Sequence, residues 1–278
     1  MDDIRQSNEY SCYMSSQGWQ TIKTNNTIAY SKKIPFFGTF IKIHRPKKIS
    51  QKLIDKFEKL KNTFQIVIEP LNIEQENLLK SLNFKQIKTP YIPSKSLELN
   101  LSNSIEKIFN QLKKDCRYSI KKSSSIKLNI LKTDEEILDF RNTWRSSLPI
   151  KRYVPSTKSI TNLRDCFKKN CLILYSPKMK AGGVFLIAAN KCYYWHGFTD
   201  KIGRKSLVQY QIIWQAILWA KKMNVKIFDF EGLYDERFPN KDWIGFSHFK
   251  KSFGGNEINY PGGYQKSFGV FKLLAYLS

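Results

Sequence analysis

The chain is poor in acidic residues and has neither a long apolar run nor a cysteine pair of metal-binding spacing. Its 278 residues include 47 lysines and arginines but only 23 aspartates and glutamates, which gives a formal net charge of +24. So large a positive excess favours polyanionic partners, namely nucleic acid, phosphorylated substrates or an anionic membrane surface. The five cysteines are scattered without a C-x-x-C pair, so the sequence predicts no metal site.

The apolar residues are numerous but never form a run long enough to span a membrane. The longest runs, such as residues 184–189, are far too short. The N-terminal residues MDDIRQSNEY are acidic and polar, whereas a signal peptide begins basic and continues apolar. We therefore expect a cytoplasmic protein, and the charge leaves peripheral contact with the inner face of the membrane open. Hydrophobic residues make up 41% of the chain, which is ample for packed cores, and 278 residues are enough for two domains of ordinary size or one large one.

Hydrophobic periodicity predicts two successive sets of alternating strands and helices. The first set has strands at 27–30, 39–44, 64–69, 85–88 and 97–101, helices opened by Ser50 and Asn72, and a long helix over 103–122. The second set begins with a strand at 127–131 and a helix capped by Thr133 and Glu136. It continues with a helix near 160–169, strands at 171–175, 184–188 and 192–198, a helix over 205–223, and a final strand and helix. Residues 123–125, three serines, are the candidate domain junction.

The most informative segment is residues 226–261, KIFDFEGLYDERFPNKDWIGFSHFKKSFGGNEINYP. Its apolar strand carries Asp229 and is followed at once by Glu231, and buried carboxylates are costly unless something at that place uses them. The next helix presents Phe249, Lys250 and Lys251 just before a glycine stop. Two carboxylates that face a lysine in this way indicate a site for a small polar reaction.

This segment resembles the Fem family of non-ribosomal peptidyltransferases, which transfer amino acids from aminoacyl-tRNA to peptidoglycan stem peptides during cell-wall biogenesis. Residues 228–232 (FDFEG) match the family's Y/F-D-F-x-G turn, and residues 245–255 (GFSHFKKSFGG) match its G-F-x-x-F-K-x-x-F-G-G helix. Gly18-Trp19 and residues 117–122 (RYSIKK) also resemble family segments. The resemblance implies a mixed α/β protein of two tandem GNAT acyltransferase-like domains, the first of them abbreviated. We predict domains at 1–124 and 125–261, with residues 262–278 packing back on the first.

The resemblance also implies roles for individual residues, without any cofactor. The Lys250 ammonium would stabilise the oxyanion that forms when an amine attacks an aminoacyl ester, and the Phe249 carbonyl would accept a hydrogen bond from that amine. Asp229 and Glu231 would orient the incoming ammonium or pair with Arg237 and Lys241, and both alternatives remain open. Other substrate-binding candidates are Lys251, Arg152 (or its rival Arg145), Tyr153, and the pair Tyr194 and His196, which strand alternation predicts on one face.

The donor and acceptor follow from the same resemblance and from the charge. Aminoacyl-tRNA would be the donor, and a nucleotide- or lipid-linked muramyl peptide the acceptor of a monomeric enzyme. A basic cluster is either a solvated helix face or a contact with tRNA phosphates: Lys113, Lys114, Arg117, Lys121 and Lys122.

Two other functions stay open in the sequence. The first is N-acylation from acyl-CoA, and the second is non-catalytic binding of nucleic acid. GNAT enzymes that use CoA carry an R/Q-x-x-G-x-G/A loop whose amides hold the pyrophosphate. Residues 200–206 (DKIGRKS) replace it here, with an acid in the first position and Lys205 in the last, which argues against CoA.

Overall fold

The computed structural model describes residues 3–24 and 27–269 of the chain. These residues form two compact units. One consists of the described residues within 3–95, 234–241 and 259–269, and the other of Ser96–Leu233 and Asp242–Ile258. Within the described ranges, no helix has the length and hydrophobicity of a membrane span.

Helices and strands alternate along most of the chain. The helices are α1 (Asn8–Ser16), α2 (Gln51–Glu58), α3 (Ile73–Ser81), α4 (Ile105–Gln111), α5 (Lys114–Ser123), α6 (Asp134–Ser146), α7 (Thr157–Phe167), α8 (Lys201–Ser206), α9 (Val208–Lys222) and α10 (Ile244–Lys251). The strands are β1 (Gln20–Lys23), β2 (Ile28–Ile34), β3 (Gly38–His44), β4 (Thr63–Glu69), β5 (Lys85–Gln86), β6 (Lys95–Asn100), β7 (Asn129–Ile130), β8 (Cys171–Ser176), β9 (Ala181–Ala188), β10 (Lys191–Thr199), β11 (Ile227–Asp229), β12 (Asn256–Asn259) and β13 (Tyr264–Ser267).

The first unit is built on a sheet of order β1-β2-β3-β4-β13-β5. Alternation along β3 and β4 turns Ile41 and Ile66 to the face on which α2 and α3 pack, where they are buried with Phe57 and Leu79. Strand β13 pairs antiparallel with both β4 and β5. Of the C-terminal segment 262–278, residues 270–278 lie outside the described residues. The periodicity did not predict α1 or β1.

The second unit is built on a sheet of order β12-β6-β11-β10-β9-β8-β7, and from β7 to α10 its strands and α-helices follow the order predicted from the sequence, with α8 as an additional short helix. The predicted capping box of α6 forms, with both the Thr133 and the Glu136 side chain bonded to backbone amides. Helix α9 is the core of this unit, and residues such as Ile212 and Ile213 are fully buried.

Three predicted elements differ in the structure. The helix predicted over 205–223 is interrupted between α8 and α9, because Leu207 adopts a left-handed φ of 60°. The helix predicted over 103–122 is broken between α4 and α5, because Leu112 is extended and the Lys113 amide donates to the Ser252 carbonyl. The strand predicted at 97–101 for the first domain lies in the second sheet, where β6 pairs antiparallel with β11. The two units therefore divide at Lys95 rather than at the serines 123–125.

Strand β10 loses its neighbour on one side partway along its length. It pairs in parallel with β11 from Lys191 to Tyr193, and β11 ends at Asp229. From Tyr194 onward, β9 is the strand that pairs with β10 among the described residues, on its other side. The edge of β10 that β11 leaves at Tyr193 and the residues after β11 position the candidate site.

Candidate functional site

The Lys250 ammonium is buried beside the turn that follows β11. Its Nζ donates to the Gly232 carbonyl at 2.7 Å and lies over the rings of Phe246 at 5.3 Å and Tyr194 at 5.6 Å from their centroids. The residue is 8% exposed. Burial lowers the pKa of Lys250 to about 8, although the nearby charges of Glu231 and Asp229 act in the opposite direction. The group is therefore still largely an ammonium at neutral pH, in a place with little water.

Asp229 organises the turn that supplies this carbonyl. Its Oδ1 accepts from the Glu231 amide at 2.7 Å and from the Ser96 hydroxyl, and Glu231 adopts a left-handed φ of 56°. Burial raises the pKa of Asp229 to about 7, and the charge of Glu231 adds to this shift. Arg237, one of the partners predicted for Asp229, bonds the Asp235 carboxylate at 2.7 and 3.0 Å. Ser96 carries no motif and was missed in the sequence.

Tyr194 and Gln209 form a hydrogen-bonded pair next to Lys250. The Gln209 Nε2 donates to the Tyr194 hydroxyl at 2.7 Å, and the Tyr194 ring stacks on Phe185 at 5.3 Å. Burial raises the pKa of Tyr194, so the phenol remains protonated. Gly197 must lack a side chain, because a Cβ there would lie 1.8 Å from the Tyr194 hydroxyl oxygen. No sequence motif points to Gln209, whose Oε1 is buried without a hydrogen-bond partner among the described residues.

His196 does not share a face with Tyr194, so that prediction is wrong. Tyr194 lies opposite Phe185 of β9 and His196 lies opposite Val184, which leaves Trp195 as an extra residue, a β-bulge. The bulge shifts the alternation by one position. His196 consequently faces Trp144 of α6, at 5.3 Å between ring centroids, on the side of the sheet away from Lys250. Burial there lowers the pKa of His196 to about 4, which keeps the imidazole neutral.

The residues on either side of Lys250 on α10 already have polar partners within the protein. The Phe249 carbonyl accepts from both the amide and the hydroxyl of Ser252, at 3.1 and 2.6 Å. A substrate amine that used this carbonyl would have to displace the Ser252 hydroxyl. Lys251 forms an ion pair with Glu257 at 2.5 Å.

The glycines that end α10 have a conformational reason. Gly254 and Gly255 have φ values of 72° and 102°, which residues with a side chain rarely adopt. A Cβ on Gly255 would also lie 2.6 Å from the Glu98 carbonyl oxygen of β6. The glycine pair therefore lets the chain leave the helix and continue as β12 directly beside β6.

The two rival arginines of the loop after α6 have different environments. The Arg145 guanidinium donates to the carbonyls of Arg152, Leu148 and Pro149 at 2.5–3.2 Å and so holds the loop together. The Arg152 guanidinium is half exposed and pairs with Asp242 at 3.3 Å. Tyr153 is exposed beside it. Arg152 is thus the one of the two that a ligand can reach.

The predicted basic cluster divides in the same way. Arg117 is partly buried and donates to the carbonyls of Asn110 and Leu112, where it links α4 to α5. The four lysines are exposed on α5 and at its start: Lys113, Lys114, Lys121 and Lys122. These four can meet a polyanion, whereas Arg117 has a structural role.

Comparison with known proteins finds solved structures that have the same fold. No protein-family model and no curated protein matches the sequence. Among solved structures, FemX superposes with a TM-score of 0.78 over 99% of this chain and 94% of its own, at 14% identity. A C-terminal domain from Agrobacterium fabrum, assigned to a lysylphosphatidylglycerol synthetase, has a TM-score of 0.64 at 10% identity, with 99% and 92% of the two chains covered. A tandem GNAT protein from the clavulanic acid biosynthesis pathway has a TM-score of 0.55 at 5% identity, with 90% and 82% covered.

These likenesses concern the fold. They confirm the mixed α/β class with tandem GNAT-like domains that the sequence predicted. They also confirm, at the level of the fold, the resemblance to the Fem family that was based on residues 228–255.

Proposed function

We propose that this chain is an acyltransferase that transfers the aminoacyl group of an aminoacyl-tRNA to a side-chain amine of a peptidoglycan precursor. The observation that carries the proposal is the buried Lys250 ammonium beside the Gly232 turn, in a fold shared with FemX and with GNAT-type transferases. In this reaction the amine attacks the ester carbonyl and forms a C–N bond. The C–O bond to the tRNA ribose then breaks, and the proton lost by the amine goes to the leaving oxygen.

Lys250 would stabilise the negative charge that develops on the ester oxygen. An ammonium has three N–H donors, and the Gly232 carbonyl takes one of them. The remaining two are held among the Tyr194 and Phe246 rings, where low water content strengthens an electrostatic contact. The Gln209 Oε1, which has no hydrogen-bond partner among the described residues, belongs to the side chain that bonds Tyr194 and would accept an N–H of a substrate.

The environment of Gly203 favours a tRNA ester over acyl-CoA as the donor. Residues 201–206 form the short helix α8, and the Gly203 amide donates to the Asp200 carboxylate at 2.8 Å. That amide is therefore not free to hold a pyrophosphate. The close packing at Gly203, where a Cβ would be 2.3 Å from the Thr199 hydroxyl oxygen, accounts for the glycine by itself.

The exposed lysines of α5 would meet the phosphates of the tRNA. Binding that neutralises several phosphates releases counterions, so affinity should fall on the order of tenfold to a thousandfold between about 50 and 200 mM salt. Lys121→Glu combined with Lys122→Glu should weaken binding and flatten this salt dependence. A double variant with the same change of charge at the exposed Lys169 and Lys178 is the control and should bind as the parent does.

The decisive experiment is a transfer assay with radiolabelled aminoacyl-tRNAs. Three acceptors are compared: a soluble nucleotide-linked muramyl peptide, its lipid-linked form in vesicles, and phosphatidylglycerol vesicles. We expect label on a muramyl peptide, loss of it in Lys250→Met, and no saturable binding of acetyl-CoA by calorimetry. Label on phosphatidylglycerol would instead make the protein a lipid aminoacyltransferase. Stoichiometric CoA binding would favour acyl-CoA chemistry, and RNA binding without ester consumption would leave only a binding protein.

A further inference from the structure

The tip of the β2–β3 hairpin presents apolar side chains to solvent. Ile34 and Gly38 pair at its base, and residues 35–37 form the connection, so we call residues 34–37 the hairpin tip. Phe36 is fully exposed and Phe37 is 52% exposed. A large aromatic side chain in that position leaves its whole apolar surface in water, which is unusual unless another surface covers it.

Neither the backbone conformation nor the packing of the first unit requires a phenylalanine at position 36. The Phe37 amide donates to the Ile34 carbonyl at 3.2 Å, and this bond closes a four-residue turn with Pro35 second and Phe36 third. Phe36 has a φ of 65°, in the third position of a turn that favours glycine or asparagine. Both its exposure and its backbone conformation are therefore locally unfavourable, and neither the turn nor the packing of the unit requires the ring.

Basic residues surround this tip. Lys33 is exposed at the end of β2, and Lys59 and Lys61 are exposed in the turn between α2 and β4. That turn is tied to the base of the hairpin, since the Thr39 amide donates to the Asn62 carbonyl at 2.7 Å.

The acidic residue next to Lys59 is already neutralised. Glu58, at the end of α2, pairs with Lys266 at 2.7 Å. The collar around the apolar tip is thus positive, which complements an anionic surface.

Aromatic rings continue from the tip along the sheet. Phe37 contacts Phe64 at 6.2 Å, Phe64 contacts Phe40 at 6.1 Å, and Phe40 contacts Trp19 at 6.0 Å between centroids. The Lys42 ammonium lies 4.0 Å from the centroid of the Trp19 ring. Phenylalanine outermost, with tryptophan and lysine behind it, is the order in which these side chains distribute between the interior and the headgroup level of a bilayer.

We infer that the hairpin tip inserts into an anionic lipid bilayer, with Phe36 and Phe37 among the acyl chains and the lysine collar on the headgroups. Binding to a polar nucleic acid would leave most of the apolar surface of the tip in water, whereas acyl chains surround the tip and bury that surface. The inference goes beyond the proposed transfer reaction and does not depend on it. It would bring the protein to the surface where a lipid-linked acceptor resides.

The test is cosedimentation of the full chain with vesicles of phosphatidylcholine, with and without roughly 30% phosphatidylglycerol as the anionic lipid. Binding should require the anionic lipid. Phe36→Ser should lower the partition coefficient about tenfold, because it removes one aromatic side chain from the bilayer. Lys33→Glu with Lys61→Glu should lower it at least as much. Ile150→Ser, at a 94% exposed position of the other unit, is the matched control and should change nothing.

Insertion itself is measured with a fluorescent reporter. Phe36→Trp should add emission that brominated lipids quench, and Ile150→Trp should not. Thermal melts equal to the parent's show that each variant folds. Transfer to a soluble acceptor should be unchanged in Phe36→Ser. Either the membrane inference or the proposed reaction can therefore be refuted without the other. Equal binding of Phe36→Ser and the parent overturns the inference, as does equal binding to both vesicles. A concentration-dependent dimer that Phe36→Ser abolishes, or tRNA affinity that it lowers, would assign the tip to that other partner instead.

Discussion

Replacement of Lys250 by methionine removes the ammonium but keeps a side chain of similar length between the Tyr194 and Phe246 rings. If the ammonium stabilises the oxyanion, the variant loses a contact made mainly in the transition state. Loss of one such donor lowers kcat by about a hundredfold to a thousandfold, or roughly 3–4 kcal/mol. A unit charge about 4 Å from the oxyanion, at an effective dielectric constant of about 20, gives an interaction of the same size.

The same substitution should not unfold the protein. Burial lowers the pKa of Lys250 to about 8, so folding disfavours its charged form. Between about pH 8 and 10.5 the unfolded chain holds more protons than the folded one, and the parent therefore gains stability as the pH rises through this window. Lys250→Met should lack that gain. Near neutral pH, Lys250→Met loses the hydrogen bond to Gly232, which destabilises the fold by about 1 kcal/mol. It also no longer buries a charge, and this offsets the loss.

The pH profile of transfer separates the charge of Lys250 from its shape. In Lys250→Arg the guanidinium remains charged throughout the accessible range, whereas the parent's ammonium deprotonates above about pH 8. The ratio of kcat/KM, parent over Lys250→Arg, should be flat below pH 7 and fall about tenfold per unit well above pH 8. Single-turnover measurements with one aminoacyl-tRNA and one acceptor give this ratio free of product release.

Two results would refute the reasoning. One is near-parental transfer by Lys250→Met with an unchanged melting temperature, which would mean that the ammonium is not used. The other is a ratio that stays flat to pH 9.5, which would mean that Lys250 is not the group that titrates.

Three further predictions concern the surroundings of the site. In urea titrations, Gly255→Ala should lower the free energy of unfolding by about 2 kcal/mol or more, since its φ is 102° and a Cβ would lie 2.6 Å from a carbonyl oxygen. Gly245→Ala is the control: its Cβ would lie in open space on α10, so it should raise the free energy of unfolding by about 0.5–1 kcal/mol. Folding raises the pKa of Asp229 to about 7, so between about pH 4 and 7 the folded state holds a proton that the unfolded chain has lost. As the pH rises through this window, the free energy of unfolding of the parent should fall by up to about 1.4 kcal/mol per pH unit, and that of Asp229→Asn should not. Arg152→Ala should raise KM for the acceptor about tenfold without a change in melting temperature. Arg145→Ala, which removes hydrogen bonds to three loop carbonyls, should lower the melting temperature, and the opposite pattern would make Arg145 the ligand-binding residue.

Local sequence determined most of the secondary structure of the second unit. Apolar periodicity and the capping box at Thr133 depend on residues within one or two turns of each other, so they can be interpreted without the rest of the chain. The same holds for the glycine stop of α10, because its φ values are a property of those two residues. The placement of Lys250 just before that stop was likewise predictable, and its family resemblance agrees with the fold.

What the tertiary structure decided involves contacts between residues far apart in sequence. Strand β6 joins the second sheet because β11 offers it a partner about 130 residues away, and no local pattern specifies that choice. The bulge at Trp195 reverses the face of His196, since one extra residue in a strand of period two exchanges inside for outside. Ser96 and Gln209 belong to the site for the same reason: each is an ordinary polar residue locally, and only folding brings it to Asp229 or Tyr194.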